Sequence, residues 1–202
     1  MIATPTTAPS TGSPTPTRRL LSASLFVAPV AYLAADATYA ARGWDSAAAG
    51  VVHVLAAIAY GFVVLAVAAW LPATSRLAAV TLLTGLIGLA GNVAYGFEAI
   101  HMSLGDTALV DQPGAANLVK PLGLFFPLSI ALVAVALERL GHRWQGALVL
   151  VAMITWPIAH IADIATLAVA IDVVLVVAFG CVAWTRGHDP VGPLVRRRRP
   201  GS

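Results

Sequence analysis

Eight ionisable side chains lie inside or at the rims of long apolar runs in this chain: Asp36, His53, Glu98, His101, Lys120, His160, Asp163 and Asp172. Charged groups in lipid are costly and tend to mark functional sites, so these residues are the first candidates for chemistry. Two pairs are spaced for chelation. Glu98-x-x-His101 and His160-x-x-Asp163 each put a carboxylate and an imidazole three residues apart, which on a helix is one face. Imidazole plus carboxylate is the donor set of Zn²⁺, Fe²⁺ or Mn²⁺, and Glu-x-x-His pairs recur in di-iron bundles. The candidate metal ligands are therefore His53, Glu98, His101, His160 and Asp163, although Pro157 disturbs the helix just before His160.

Asp36, His53, Glu98 and Asp172 sit deeper and form the candidate ligand-binding or proton-titrating set, with Glu98 and Asp36 as the candidate catalytic acid and base. A haem would instead need two histidines at equal depth on facing helices, with Gly91 and Gly96 giving room beside the ring. Structural uses compete with these readings. Glu98 can pair with His101, Lys120 can snorkel to an acid of the Asp106 to Asp111 loop, and Asp163 can cap a helix.

The elements that must position these groups are transmembrane helices. Of 202 residues, 59% are hydrophobic and 10% charged, and the mean hydropathy is +0.85, far from the averages of soluble domains. The apolar runs are continuous and about twenty residues long, which spells helices and excludes a β-barrel of alternating ten-residue strands. Spans are expected at Leu20 to Tyr39, Ala47 to Trp70, Leu77 to Met102, Leu122 to Leu137, Gln145 to His160 and Leu167 to Trp184. The last two are divided on length alone. As one helix, Gln145 to Trp184 would run ~60 Å, about twice the hydrocarbon thickness, so a tight hairpin near Asp163 is expected.

Lysines and arginines orient this six-helix bundle. With both termini cytoplasmic, Arg18, Arg19, Arg76, Arg139, Arg143, Arg186 and Arg196 to Arg199 all fall inside, ten of the twelve basic residues. The polar cluster then lies in the outer half of the membrane. Residues 1–19 read as a Thr/Ser/Pro-rich cytoplasmic tail, 20–184 as the transmembrane domain and 185–202 as a basic tail whose Arg196 to Arg199 run rests on anionic lipid headgroups. Lipid is thus the expected partner, with a homo-oligomer also compatible and nucleic acid disfavoured by a net charge of only +3. Gly85, Gly88 and Gly91 recur every three residues, which suggests close helix approach and a central third helix. The Ala- and Arg-rich, Lys-poor usage suggests a bacterial cytoplasmic membrane.

Three functions fit these expectations. The first is an outward-facing His/carboxylate pocket for a metal ion, haem or small lipid-soluble ligand. The second is proton- or cation-coupled transport. The third is a non-catalytic subunit whose polar cluster fastens helices together. The sequence carries no phosphate loop, HExxH motif, dinucleotide fingerprint or catalytic-serine signature.

Overall fold

The computed structural model describes residues 15–188, and all of the regular structure among them is helical. Six helices are long and apolar enough to cross a membrane: α1 (Pro16–Arg42), α2 (Ala47–Trp70), α3 (Arg76–Met102), α4 (Val119–Arg139), α5 (Arg143–Ile161) and α6 (Ala165–His188). Hydroxyl side chains start three of them. Thr15, Ser46 and Ser75 accept hydrogen bonds from the backbone N–H groups of Arg18, Ala49 and Ala78, satisfying donors that a helix start otherwise leaves open. Thr15 with Pro16 after it begins α1 four residues ahead of the expected Leu20, so Arg18 and Arg19 occupy its first turn.

The short connections make successive helices antiparallel, and an even number of spans brings both ends of the bundle's chain to the same face. Packing runs in order around the bundle, α1 on α2 on α3 on α4 on α5 on α6, and α6 closes it against α1. Beside these neighbours α2 meets α4 across the middle, where Tyr60 and Phe126 pack edge to face at 5.4 Å. The third helix is therefore not central, contrary to the expectation from its glycines. A Cβ at Gly85 would strike Val64 of α2, while one at Gly88 or Gly91 would strike the α4 backbone. The glycines report close approach to two neighbours from a place at the rim.

The hairpin between α5 and α6 falls where length required it, and its mechanism explains why no glycine or proline announces it. Asp163 adopts φ +51°, the left-handed conformation that usually falls to glycine at a helix end. Around it the Ile164 N–H reaches back to the Ala159 carbonyl at 2.8 Å, closing the last turn of α5. At the opposite end of the bundle Gly141, at φ +95°, ends α4 in the same way, with the His142 N–H bonded to the Leu137 carbonyl at 2.9 Å. The connection from α3 to α4 holds two 3₁₀ turns, Leu109–Asp111 and Gly114–Leu118, that the sequence pattern does not announce. The tail beyond His188, with its Arg196 to Arg199 run, lies outside the described residues, as does the tail before Thr15.

Candidate functional site

Five helices contribute to one buried polar cluster on the side of the bundle that carries the α1–α2, α3–α4 and α5–α6 connections. Asp36 lies six residues before the end of α1 and His53 six after the start of α2, each ~9 Å along its helix from that end. Asp172 is seven residues into α6 and His160 is in the last turn of the shorter α5. None of these four side chains is more than 4% exposed. Their convergence follows from the packing order, because α6 returns to α1 and sets Asp172 beside Asp36.

His160 is held by both ring nitrogens. Its Nδ1 lies 3.1 Å from the Trp156 carbonyl, which can only accept, so Nδ1 carries the hydrogen. Nε2 then faces Asp36 Oδ2 at 3.2 Å, an ion-pair distance without the alignment of a good hydrogen bond. Trp156 also stacks on the imidazole, with ring centroids 4.0 Å apart. Trp44, from the α1–α2 turn, packs edge-on to His160 and stacks on Tyr39, and its indole N–H donates to the Asp163 carbonyl at 3.3 Å. This indole covers the cluster from the loop end.

A second network joins α1, α2 and α3. His53 Nε2 lies 3.0 Å from Asn92 Oδ1, the Tyr32 hydroxyl donates to the same oxygen at 3.2 Å, and the hydroxyl sits 3.4 Å from His53 Nε2. Tyr32 links the two networks. Its ring stacks on Phe126 at 5.3 Å and also packs against His53, Tyr60 and His160.

Glu98, His101 and Asp163 turn to other partners. Glu98 is buried, but its Oε1 accepts from the Val110 N–H at 3.3 Å and so holds the first 3₁₀ turn against the end of α3. His101 bonds the Thr107 carbonyl at 3.2 Å and faces Asp106 at 3.4 Å, in a partly exposed pair. The two residues thus serve the loop separately and do not pair with each other. Asp163 is exposed and lies beyond the end of α5, so the spacing argument that joined it to His160 on one helix face does not apply. Lys120 is exposed in the first turn of α4.

Among the described residues no group of three or more His, Cys, Asp or Glu side chains is arranged to hold a metal ion. The expected set of His53, Glu98, His101, His160 and Asp163 is divided between the buried cluster and two surface loops. The space expected beside a haem is also filled, since Gly91 abuts the α4 backbone and Gly96 abuts Val54 and the Gly50 carbonyl.

Neutral side chains form much of the site, and reading ionisable groups alone passes over them. Tyr32, Tyr39, Tyr60 and Trp156 look like ordinary core aromatics in an apolar span, and Trp44 like an interfacial aromatic in a short loop. Asn92 did carry a signal, because an amide deep in an apolar helix needs a partner as much as a charge does. Comparison with protein-family models, with curated proteins and with solved structures gives no match to this chain.

Proposed function

We propose that this multi-pass membrane protein binds a small polar or charged ligand through Asp36, His53, His160 and Asp172, in the outer half of the bilayer. The observation that carries this reading is a concentration of buried polar atoms that the protein does not partner. They are Asp36 Oδ1, the hydroxyls of Tyr39 and Tyr60, His53 Nδ1, Asn92 Nδ2 and Trp156 Nε1, together with the Asp172 carboxylate, which meets another carboxylate, Asp36, rather than a donor. Folded proteins partner the great majority of such groups, and each exception costs about 1–3 kcal/mol. Ring contacts and the networks above bring the residues that carry these atoms together, and on this reading the atoms serve as donors and acceptors for one guest. The outward orientation rests on the placement of the arginines, and a bacterial cytoplasmic membrane on residue usage.

The reading is tested by measuring what the purified protein carries. Metal content, the visible absorption spectrum and extracted small molecules are compared between wild type and the Asp36→Asn, His53→Ala and Glu98→Gln variants. The expected result is a bound species lost in the first two variants and retained in Glu98→Gln, whose amide oxygen can still accept from Val110. A second reading is favoured by the contacts that tie α5 to α1 through His160 and Asp36, and α1 to α2 and α3 through Tyr32, His53 and Asn92. Here the cluster only fastens helices. Unchanged bound content with lowered unfolding temperatures in the first two variants would select it over the binding site.

A further inference from the structure

Charge counting in the buried cluster leads to a ligand class, and this step rests on the binding site just proposed. Asp36 and Asp172 lie side by side with none of their four oxygens given an aligned hydrogen bond by the protein. No lysine or arginine occurs in the interior of any described span, since those present sit in the terminal turns. Among the described residues His160 is the one basic group in ion-pair contact with this carboxylate pair. Two ionised carboxylates side by side in a low-dielectric interior are strongly disfavoured. A positive charge between them, whether a proton or another cation, relieves this.

The surroundings accept a cation rather than an anion. Tyr60, 1% exposed, has an unpartnered hydroxyl and lies near both carboxylates, which adds an oxygen to the set. The rings of Tyr32, Tyr60 and Phe126 pack together alongside, and aromatic faces attract positive charge. Among the described residues the titratable groups that interact with one or both carboxylates are Tyr32 and Tyr39 on α1, His53 and Tyr60 on α2, Tyr95 on α3 and His160 on α5. The side of α4 turned to the cluster presents Phe126, which does not titrate.

We infer that the Asp36–Asp172 pair is an exchange site at which a monovalent cation and a proton compete for the same position between the two carboxylates. Without the cation, a proton lies between the two carboxylates of the pair. With the cation bound, both carboxylates of the pair are ionised, the cation takes the place of the shared proton, and that proton leaves to solvent. One positive charge replaces another, so the net charge of the cluster is the same in both states, and no electrons move. Oxygen donors suit a hard inorganic ion such as Na⁺, and carboxylates beside aromatic faces suit a small organic ammonium, so the shared chemistry is a single positive charge.

The test is proton release from the whole protein in detergent at near-neutral pH and weak buffering, on addition of sodium chloride or of methylammonium chloride. N-methyl-D-glucamine chloride serves as the ionic-strength reference. Saturable release of about one proton per chain by either probe above the reference is expected. Sodium alone would mark an inorganic-ion site and methylammonium alone an ammonium site. Asp172→Asn and Asp36→Asn should release none, and Tyr60→Phe, which loses only a hydroxyl, should raise the half-saturating concentration roughly five- to tenfold. Release no greater than the reference with both probes in wild type overturns the inference whether or not the variants fold. Release in a folded Asp172→Asn variant equal to wild type overturns it too. Either failure leaves the broader binding site standing if bound content still depends on Asp36 and His53.

Discussion

At the scale of residues, the Tyr32–His53–Asn92 triangle shows how a neutral amide organises a buried imidazole. Asn92 Oδ1 accepts from two neighbours at once, so the two ends of the triangle differ in what their loss costs. Tyr32→Phe removes one donor and leaves the His53–Asn92 contact, for an expected loss of about 1 kcal/mol. Asn92→Ala strips the acceptor from both the hydroxyl and the imidazole, and the expected loss is about 2–3 kcal/mol. Thermal unfolding in detergent, followed by helical circular dichroism, measures the order of the two, and the reverse order would contradict the assigned acceptor. Asp163 calls for the opposite kind of substitution. Its φ of +51° strains any residue with a Cβ, so Asp163→Gly should leave stability unchanged or raise it by about 1 kcal/mol. A fall in unfolding temperature, or a loss of bound metal, would show that the carboxylate itself matters and revive the expected pairing with His160.

At the scale of elements, the α3–α4 contact depends on backbones meeting without side chains between them. A Cβ at Gly91 would strike the Leu122 carbonyl, and a carbonyl fixed in a helix cannot move aside as a flexible side chain can. Gly123, next to Leu122 on α4, has nothing within 4 Å of its own Cβ position. The two glycines form a matched experiment. Gly91→Ala should destabilise by about 1–3 kcal/mol through overpacking, and Gly123→Ala should be neutral or stabilising by up to about 1 kcal/mol through helix propensity. Equal effects in unfolding measurements would mean that the close approach is not what holds α3. The glycine row was plain in the sequence, but spacing of small residues reports how near a neighbour comes and not how many neighbours there are. That is why α3 could be read as central when it sits at the rim.

At the scale of the whole molecule, the six spans were legible because both signals that define them, apolar length and arginine placement, are one-dimensional. The α5–α6 reversal was legible from length although its turn residue, an aspartate in a glycine conformation, was not. The site was legible in part. Asp36, His53 and Asp172 could be picked out by charge and depth, but Glu98 was grouped with them and His160 was placed at the rim, because which of eight ionisable groups meet depends on α6 closing against α1, and no sequence pattern states that. Glu98 and His101 were separated by the path of residues 103–118, whose 3₁₀ turns bring Val110 and Thr107 to them.

What the bundle does with the site depends on which way it faces, and the helices alone leave the two faces equivalent. The arginine distribution offers a way to break that symmetry: if arginines stay on the cytoplasmic side, Leu104, in the α3–α4 connection, is expected outside and Thr74, in the α2–α3 connection, inside. Both are exposed, and Cys181 is the single cysteine of the chain. In a Cys181→Ser background, Leu104→Cys should therefore be labelled in intact cells by a membrane-impermeant maleimide, and Thr74→Cys only after the membrane is permeabilised. The reverse pattern would turn the Asp36–Asp172 pair toward the cytoplasm. A proton displaced from it would then enter the cytoplasm, because between the cluster and the terminal turns at the opposite end the described spans carry hydroxyls such as Ser24, Thr81, Thr84 and Ser129 but no acid or imidazole.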